Sequence, residues 1–109
     1  MAVESCKDLF DNHLPTRLKD KPDLAEKINS TYKFVVSGDG GGTWIVDLTG
    51  GSGTIKAEDG DAACTITVGD GDLVDIVNGK LNAQMAFMSG KLKVAGDMGL
   101  AMKLQSLFG

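Results

Sequence analysis

The chain has 109 residues, of which 42% are hydrophobic and 24% charged, with a formal charge of −4. That length suits one domain, residues 1–109, with a core that needs neither disulfides nor metal, and the composition excludes a disordered chain. No apolar run approaches the roughly 18 residues of a membrane span, and the acidic balance argues against general nucleic-acid binding.

The opening "MAVESCKDLF" has neither the basic nor the apolar region of a secretory signal. In such a chain Cys6 and Cys64 are expected to be reduced, buried thiols. The next elements follow in order. Val3, Cys6, Phe10 and Leu14 keep helical spacing, and Pro15 is expected to end or kink that helix. Pro22 opens a second short helix that buries Leu24, Ala25 and Ile28. From Thr31 the period falls to two. "YKFVVSG" alternates Tyr32, Phe34 and Val36, "GDGGG" makes a hairpin turn, and "TWIVDLT" alternates Trp44, Val46 and Leu48. "TIKAE" completes an antiparallel meander.

"AACTITVG" restarts the strand pattern with Cys64, Ile66 and Val68 on one face. Asp70 or Asp72 then caps a helix bearing Leu73, Val74, Ile76 and Val77, which Asn78-Gly79 stops in a left-handed turn. Asn82 caps the short helix "AQMAFMS", ended by Gly90, and "KLKVAG" is a strand with Lys91 and Lys93 facing out. The helix "MGLAMKLQSLF" comes last. Its apolar residues spread over an arc of roughly 220°, wider than the stripe that packing on a single core requires.

Few residues suggest catalysis. His13 has no serine or cysteine placed beside it by sequence and is expected at the surface. One histidine and two scattered cysteines do not make a zinc site. "GDGDLVD" lacks the spacing of a calcium loop, and "GDGGGT" leads into a strand rather than the helix a nucleotide-binding loop needs. We expect no cofactor and no enzymatic activity.

Two asymmetries remain. Residues 1–77 hold seven Lys/Arg against fourteen Asp/Glu, a net of −7, whereas residues 78–109 hold Lys80, Lys91, Lys93 and Lys103 against Asp97 alone, a net of +3. These lysines are either a solvated surface or a basic end that meets an anionic head group or membrane. Four of the five methionines, Met85, Met88, Met98 and Met102, fall in the same stretch, with Phe87 and Phe108. Methionine suits adaptable apolar contact. The excess apolar surface could line a pocket or touch a protein or a membrane, and Gln84 and Gln105 would orient an amphipathic ligand in a pocket.

"NAQMAFMSGKLKVAGDMGLAMKLQSLF" resembles the C-terminal part of the sterol carrier protein-2 family, the non-specific lipid-transfer proteins. The likeness extends through "ACTITVGDGDLVDIVNGKLN", "TWIVDLTGGSG" and the earlier "YKF" strand, covering nearly all of residues 5–108. It implies an α+β fold: a five-stranded mixed β-sheet of order 3-2-1-4-5, covered by about five α-helices enclosing a hydrophobic tunnel. It implies intracellular binding and transfer of fatty acids, fatty acyl-CoAs, sterols and phospholipids, by a free monomer or by a domain fused to peroxisomal β-oxidation enzymes. By position, the lipid-binding residues would be Trp44, Ile76, Gln84, Phe87, Met88, Met98, Leu100, Met102 and Gln105, with Phe108 beside them. Lys80, Lys91, Lys93 and Lys103 would contact head groups or the membrane transiently. Many family members end in a peroxisomal targeting tripeptide resembling AKL where this sequence has Leu107, Phe108 and Gly109, so a peroxisomal or a cytoplasmic location is expected. Met88 and Ser89 also replace residues usual in the family, and Pro15 interrupts a first helix that is usually continuous.

Overall fold

Alternation of apolar and polar residues from Thr31 onward dictates a sheet with one covered face. The computed structural model, which describes residues 3–49 and 53–103, places β1 (Thr31–Ser37), β2 (Gly42–Asp47), β3 (Thr54–Lys56), β4 (Cys64–Gly69) and β5 (Leu92–Gly96) in the order β3-β2-β1-β4-β5. Every pairing is antiparallel except β1 with β4, where Phe34 stands beside Ile66. Tyr32, Phe34, Val36, Trp44, Val46, Cys64, Ile66, Val68 and Leu92 are buried on the inner face, whereas Lys33, Val35, Thr43, Ile45 and Thr65 on the other face stay half-exposed. Gly38 takes φ +104° in the β1–β2 turn, a conformation open to glycine at no steric cost.

The inner face is covered by α1 (Cys6–Asp8), a π-helical segment (Leu9–His13), α2 (Leu14–Asp20), α3 (Asp23–Ile28), α4 (Asp70–Val77), α5 (Ala83–Met88) and α6 (Met98–Met102). The first three form one unbroken helical run, so the described residues hold five helical bodies. Pro15 therefore neither ends the helix nor breaks it. Proline removes one amide donor and its ring crowds the carbonyl four residues back; the wider π turn just before it relieves that crowding, and Pro15 falls in the first turn of α2. Sequence periodicity could not show this extra residue in the turn.

Three local expectations are refined in the structure. Gly69, not Asp70 or Asp72, occupies the N-cap of α4, because the Asp70 carboxylate is engaged by the amides of Gly40 (3.0 Å) and Gly71 (2.8 Å). These bonds hold the Asp70 carboxyl below the usual carboxylate range. At the other end of α4, Gly79 alone turns left-handed while Asn78 stays helical. Asn78 instead spans to the chain start, accepting from the Val3 amide (2.7 Å) and donating to the Val3 carbonyl (3.0 Å). Asn82 caps α5 as expected, accepting from Gln84 and Met85 amides. The final helix is described only as far as Met102.

Cys6 and Cys64 are buried free thiols. Burial, reinforced by the Asp70 charge, pushes the Cys6 thiol from 9.0 up to about 11. Burial also raises the Cys64 thiol and the Tyr32 phenol. Groups whose folded-state pKa is raised stabilise the fold below their unfolded pKa, and that contribution is lost as pH climbs to the folded value. The urea midpoint should therefore hold to about pH 9 and fall between about pH 9 and 11. A midpoint unchanged up to pH 11 would refute this account of the buried thiol.

Candidate functional site

The short β3 strand leaves a gap where the helical layer meets that edge of the sheet. There the π-helical segment, α2, α3 and β3 line an open cavity of about 660 Å³. Phe10, Pro15, Leu18, Pro22, Ala25 and Ile55 supply apolar wall, and Asp11, Lys19 and Thr54 supply polar groups. Gly53 closes one side; a Cβ there would lie 2.6 Å from Leu18 Cδ1, so only glycine fits without moving that wall. Phe10 stacks on Trp44 at 4.5 Å between centroids and tilts against Phe34 at 5.3 Å, and Phe34 stacks on Tyr32. An aromatic row thus runs from the cavity to the centre of the sheet. A pit of this size, lined about equally by polar and apolar surface and with opposite charges at Asp11 and Lys19, suits an amphipathic molecule.

A second hollow of about 370 Å³ lies against the same helical run, lined by Val3, Asp8, Asn12, His13, Thr16, Arg17, Asp20 and Lys21. His13 is half-buried here rather than a surface residue, because the helical run turns its ring into this hollow. Its Nε2 is buried and has no hydrogen-bond partner among the described residues. No cluster of three or more His, Cys, Asp or Glu residues that could hold a metal occurs among the described residues.

The residues singled out by sequence fall into three groups. Trp44, Ile76 and Leu100 are buried in the core. Gln84, Phe87, Met88, Met98 and Met102 are exposed, because α5 buries only Ala86 and the described turn of α6 buries Leu100. Lys80, Lys91, Lys93 and Lys103 are all exposed. Gln105 and Phe108 lie outside the described residues. None of the described ones lines the 660 Å³ cavity directly; Trp44 meets it through Phe10. Sequence reasoning placed Phe10, Leu18 and Ile55 in the protein but not in a site. Pro15 in the first turn of α2 and Pro22 at the start of α3 were the available signal.

The comparisons with known proteins agree with this architecture. The chain is 48% identical over 89 residues to sterol carrier protein 2 of Rattus norvegicus, an alignment covering 78% of this chain and 16% of that protein. It is 49% identical over 88 residues to peroxisomal multifunctional enzyme A of Dictyostelium discoideum, covering 78% of this chain and 20% of the relative. The chain thus spans about a fifth or less of the length of these relatives. Its structure is similar to the solution structure of sterol carrier protein domain 2 of Helicoverpa armigera, with TM-score 0.77 and 32% identity, covering 99% of this chain and 91% of that one. Residues 12–109 match the profile of the SCP-2 sterol transfer family, and the chain belongs to that family.

Proposed function

We propose that the protein is a lipid carrier that binds fatty acids, fatty acyl-CoAs, sterols or phospholipids and moves them between surfaces without chemical change. The observation that carries this reading is the open cavity lined by Phe10, Leu18 and Ile55, with Phe10 stacked on Trp44, in a member of a sterol transfer family. Each acyl methylene that leaves water for this wall gains about 0.8 kcal/mol, offset in part by ordering of the ligand. Lys19, beside the apolar wall, would hold a carboxylate or phosphate, and Thr54 would donate a hydrogen bond to it. A carrier needs apolar volume and a route of release, and no bond in the lipid is made or broken.

Replacing Ile55 by tryptophan fills the cavity from the half-buried edge strand. Displacing two methylenes of a bound chain costs about 1.6 kcal/mol, or about 15-fold in affinity. Displacement of a fluorescent fatty acid from Ile55→Trp should show that loss, with an unchanged urea midpoint. Unaltered affinity for fatty acids, acyl-CoAs and sterols alike would place the lipid elsewhere.

A second reading has its own support. The Dictyostelium relative is a multifunctional enzyme, and a hydroxysteroid dehydrogenase-like protein 2 of Xenopus tropicalis is 42% identical over 80 residues, of which the alignment covers 19%. In such a setting the same cavity would present lipid to a neighbouring catalytic domain, including one for β-oxidation. The Dictyostelium relative, a peroxisomal enzyme, supports a peroxisomal setting. Unaided lipid transfer between vesicles by this chain favours the carrier; transfer that appears only with a partner enzyme favours presentation.

A further inference from the structure

We infer that Gly53 is the specificity-determining residue of the 660 Å³ cavity: by leaving the space beside Leu18 without a side chain, it admits a rigid fused-ring lipid as well as a flexible acyl chain. This rests on the carrier reading and names the wall position that decides which lipid class enters. Gly53 and Leu18 both line the cavity. A Cβ at position 53 would meet three atoms of the Leu18 side chain, Cδ1 at 2.6 Å and Cβ and Cγ at 3.4 Å. Carbon atoms pack best at about 3.5–4.0 Å, so Leu18 would have to give way. Backbone conformation is not the constraint. Gly38 and Gly79 are left-handed, but the φ of Gly53 lies outside that region, and alanine fits the chain there. What glycine supplies at this position is room.

The direction in which Leu18 yields is set by its surroundings. It is 7% exposed and packed into the core, and a close-packed interior has few voids larger than a water molecule. The open volume beside it is the cavity. Neighbouring walls hold still: Pro15 and Pro22 have rings closed on the backbone, Ala25 has no rotamer, and Phe10 is held by Trp44 and Phe34. A side chain at 53 therefore drives Leu18 into the cavity and narrows it between α2 and β3. The volume of about 660 Å³ lies within the range of small-molecule sites, so width rather than volume discriminates. An acyl chain turns about each of its bonds and follows a narrowed path. A fused ring system lacks those torsions and needs its full width at one place. One methylene more or less against an apolar wall discriminates between ligands by about 10- to 200-fold.

The test titrates Gly53→Ala and the parent protein with dehydroergosterol, a fluorescent sterol, and with cis-parinaric acid, a fluorescent linear fatty acid. Sterol affinity should fall at least about 10-fold, while fatty-acid affinity stays close to that of the parent. Adding Leu18→Ala removes the displaced side chain. The double variant should regain sterol affinity even though truncation in the core lowers its urea midpoint. A merely structural effect of Gly53→Ala would move both lipids together and worsen in the double variant. Equal losses for the two lipids, no loss of either, a sterol loss that Leu18→Ala leaves in place, or a parent protein that takes the fatty acid and not the sterol overturns the inference. Ile55→Trp, which fills the cavity for any lipid, separates the two readings. Weakening of both lipids by Ile55→Trp and of neither by Gly53→Ala defeats the role of Gly53 alone. No change in either variant, or a parent protein that binds neither lipid, defeats the carrier reading as well.

Discussion

Phe10→Ala should destabilise the protein by about 3–5 kcal/mol and abolish most lipid binding together with it. Phe10 is 1% exposed and sits in the π-helical segment that carries the chain past Pro15. Its ring lies flat on Trp44, with 17° between the planes, and meets Phe34 at 52°. Such aromatic pairs add about 0.5–1.5 kcal/mol each to the burial of the ring. Truncation would also join the vacated space to the 660 Å³ cavity beside it, so the walls cannot close in to recover contact. Against a typical total of about 5–15 kcal/mol, the loss leaves a marginal fold. Urea unfolding followed through Trp44 emission measures it, and Phe10→Leu keeps apolar volume and should fall well short of the same effect. A loss under about 1 kcal/mol would mean that the aromatic row does not hold the first helical run to the sheet.

The inner face of the sheet was plain in the sequence because strand periodicity reports burial directly. Tyr32, Phe34 and Val36, then Trp44 and Val46, then Cys64, Ile66 and Val68 alternate as their burial does. The parallel pairing of β1 with β4 leaves no such trace; the strand order came from family likeness and the observed sheet has it. Helical periodicity failed at Pro15 because a single π turn shifts the register by one residue without altering residue types. The methionine excess was legible, its direction was not: spacing tells which residues share a face, not whether that face meets protein or solvent. α5 is too short to bury two faces, so Met85 and Met88 point outward, and Met102 is exposed in the described turn of α6. The cavity was hidden for another reason. Its walls come from residues 10–25 and 53–55, brought together by the sheet edge rather than by neighbourhood in the chain.

Tyr32→Phe should lower stability by about 1–3 kcal/mol and loosen α6 more than the rest of the molecule. Tyr32 is fully buried in β1, and its hydroxyl donates to the Leu100 carbonyl at 2.5 Å, joining residues 68 positions apart. Phenylalanine preserves the ring, so the stacking on Phe34 survives while the donor is lost. The Leu100 carbonyl still accepts from the Lys103 amide at 3.1 Å, which keeps the loss toward the lower part of that range. A further anchor of α6 is the buried Leu100 side chain. Hydrogen exchange at the Leu100 and Lys103 amides should accelerate beyond what the global change in urea midpoint accounts for. Equal acceleration throughout β1 and β4 would show instead that α6 opens only with the whole fold.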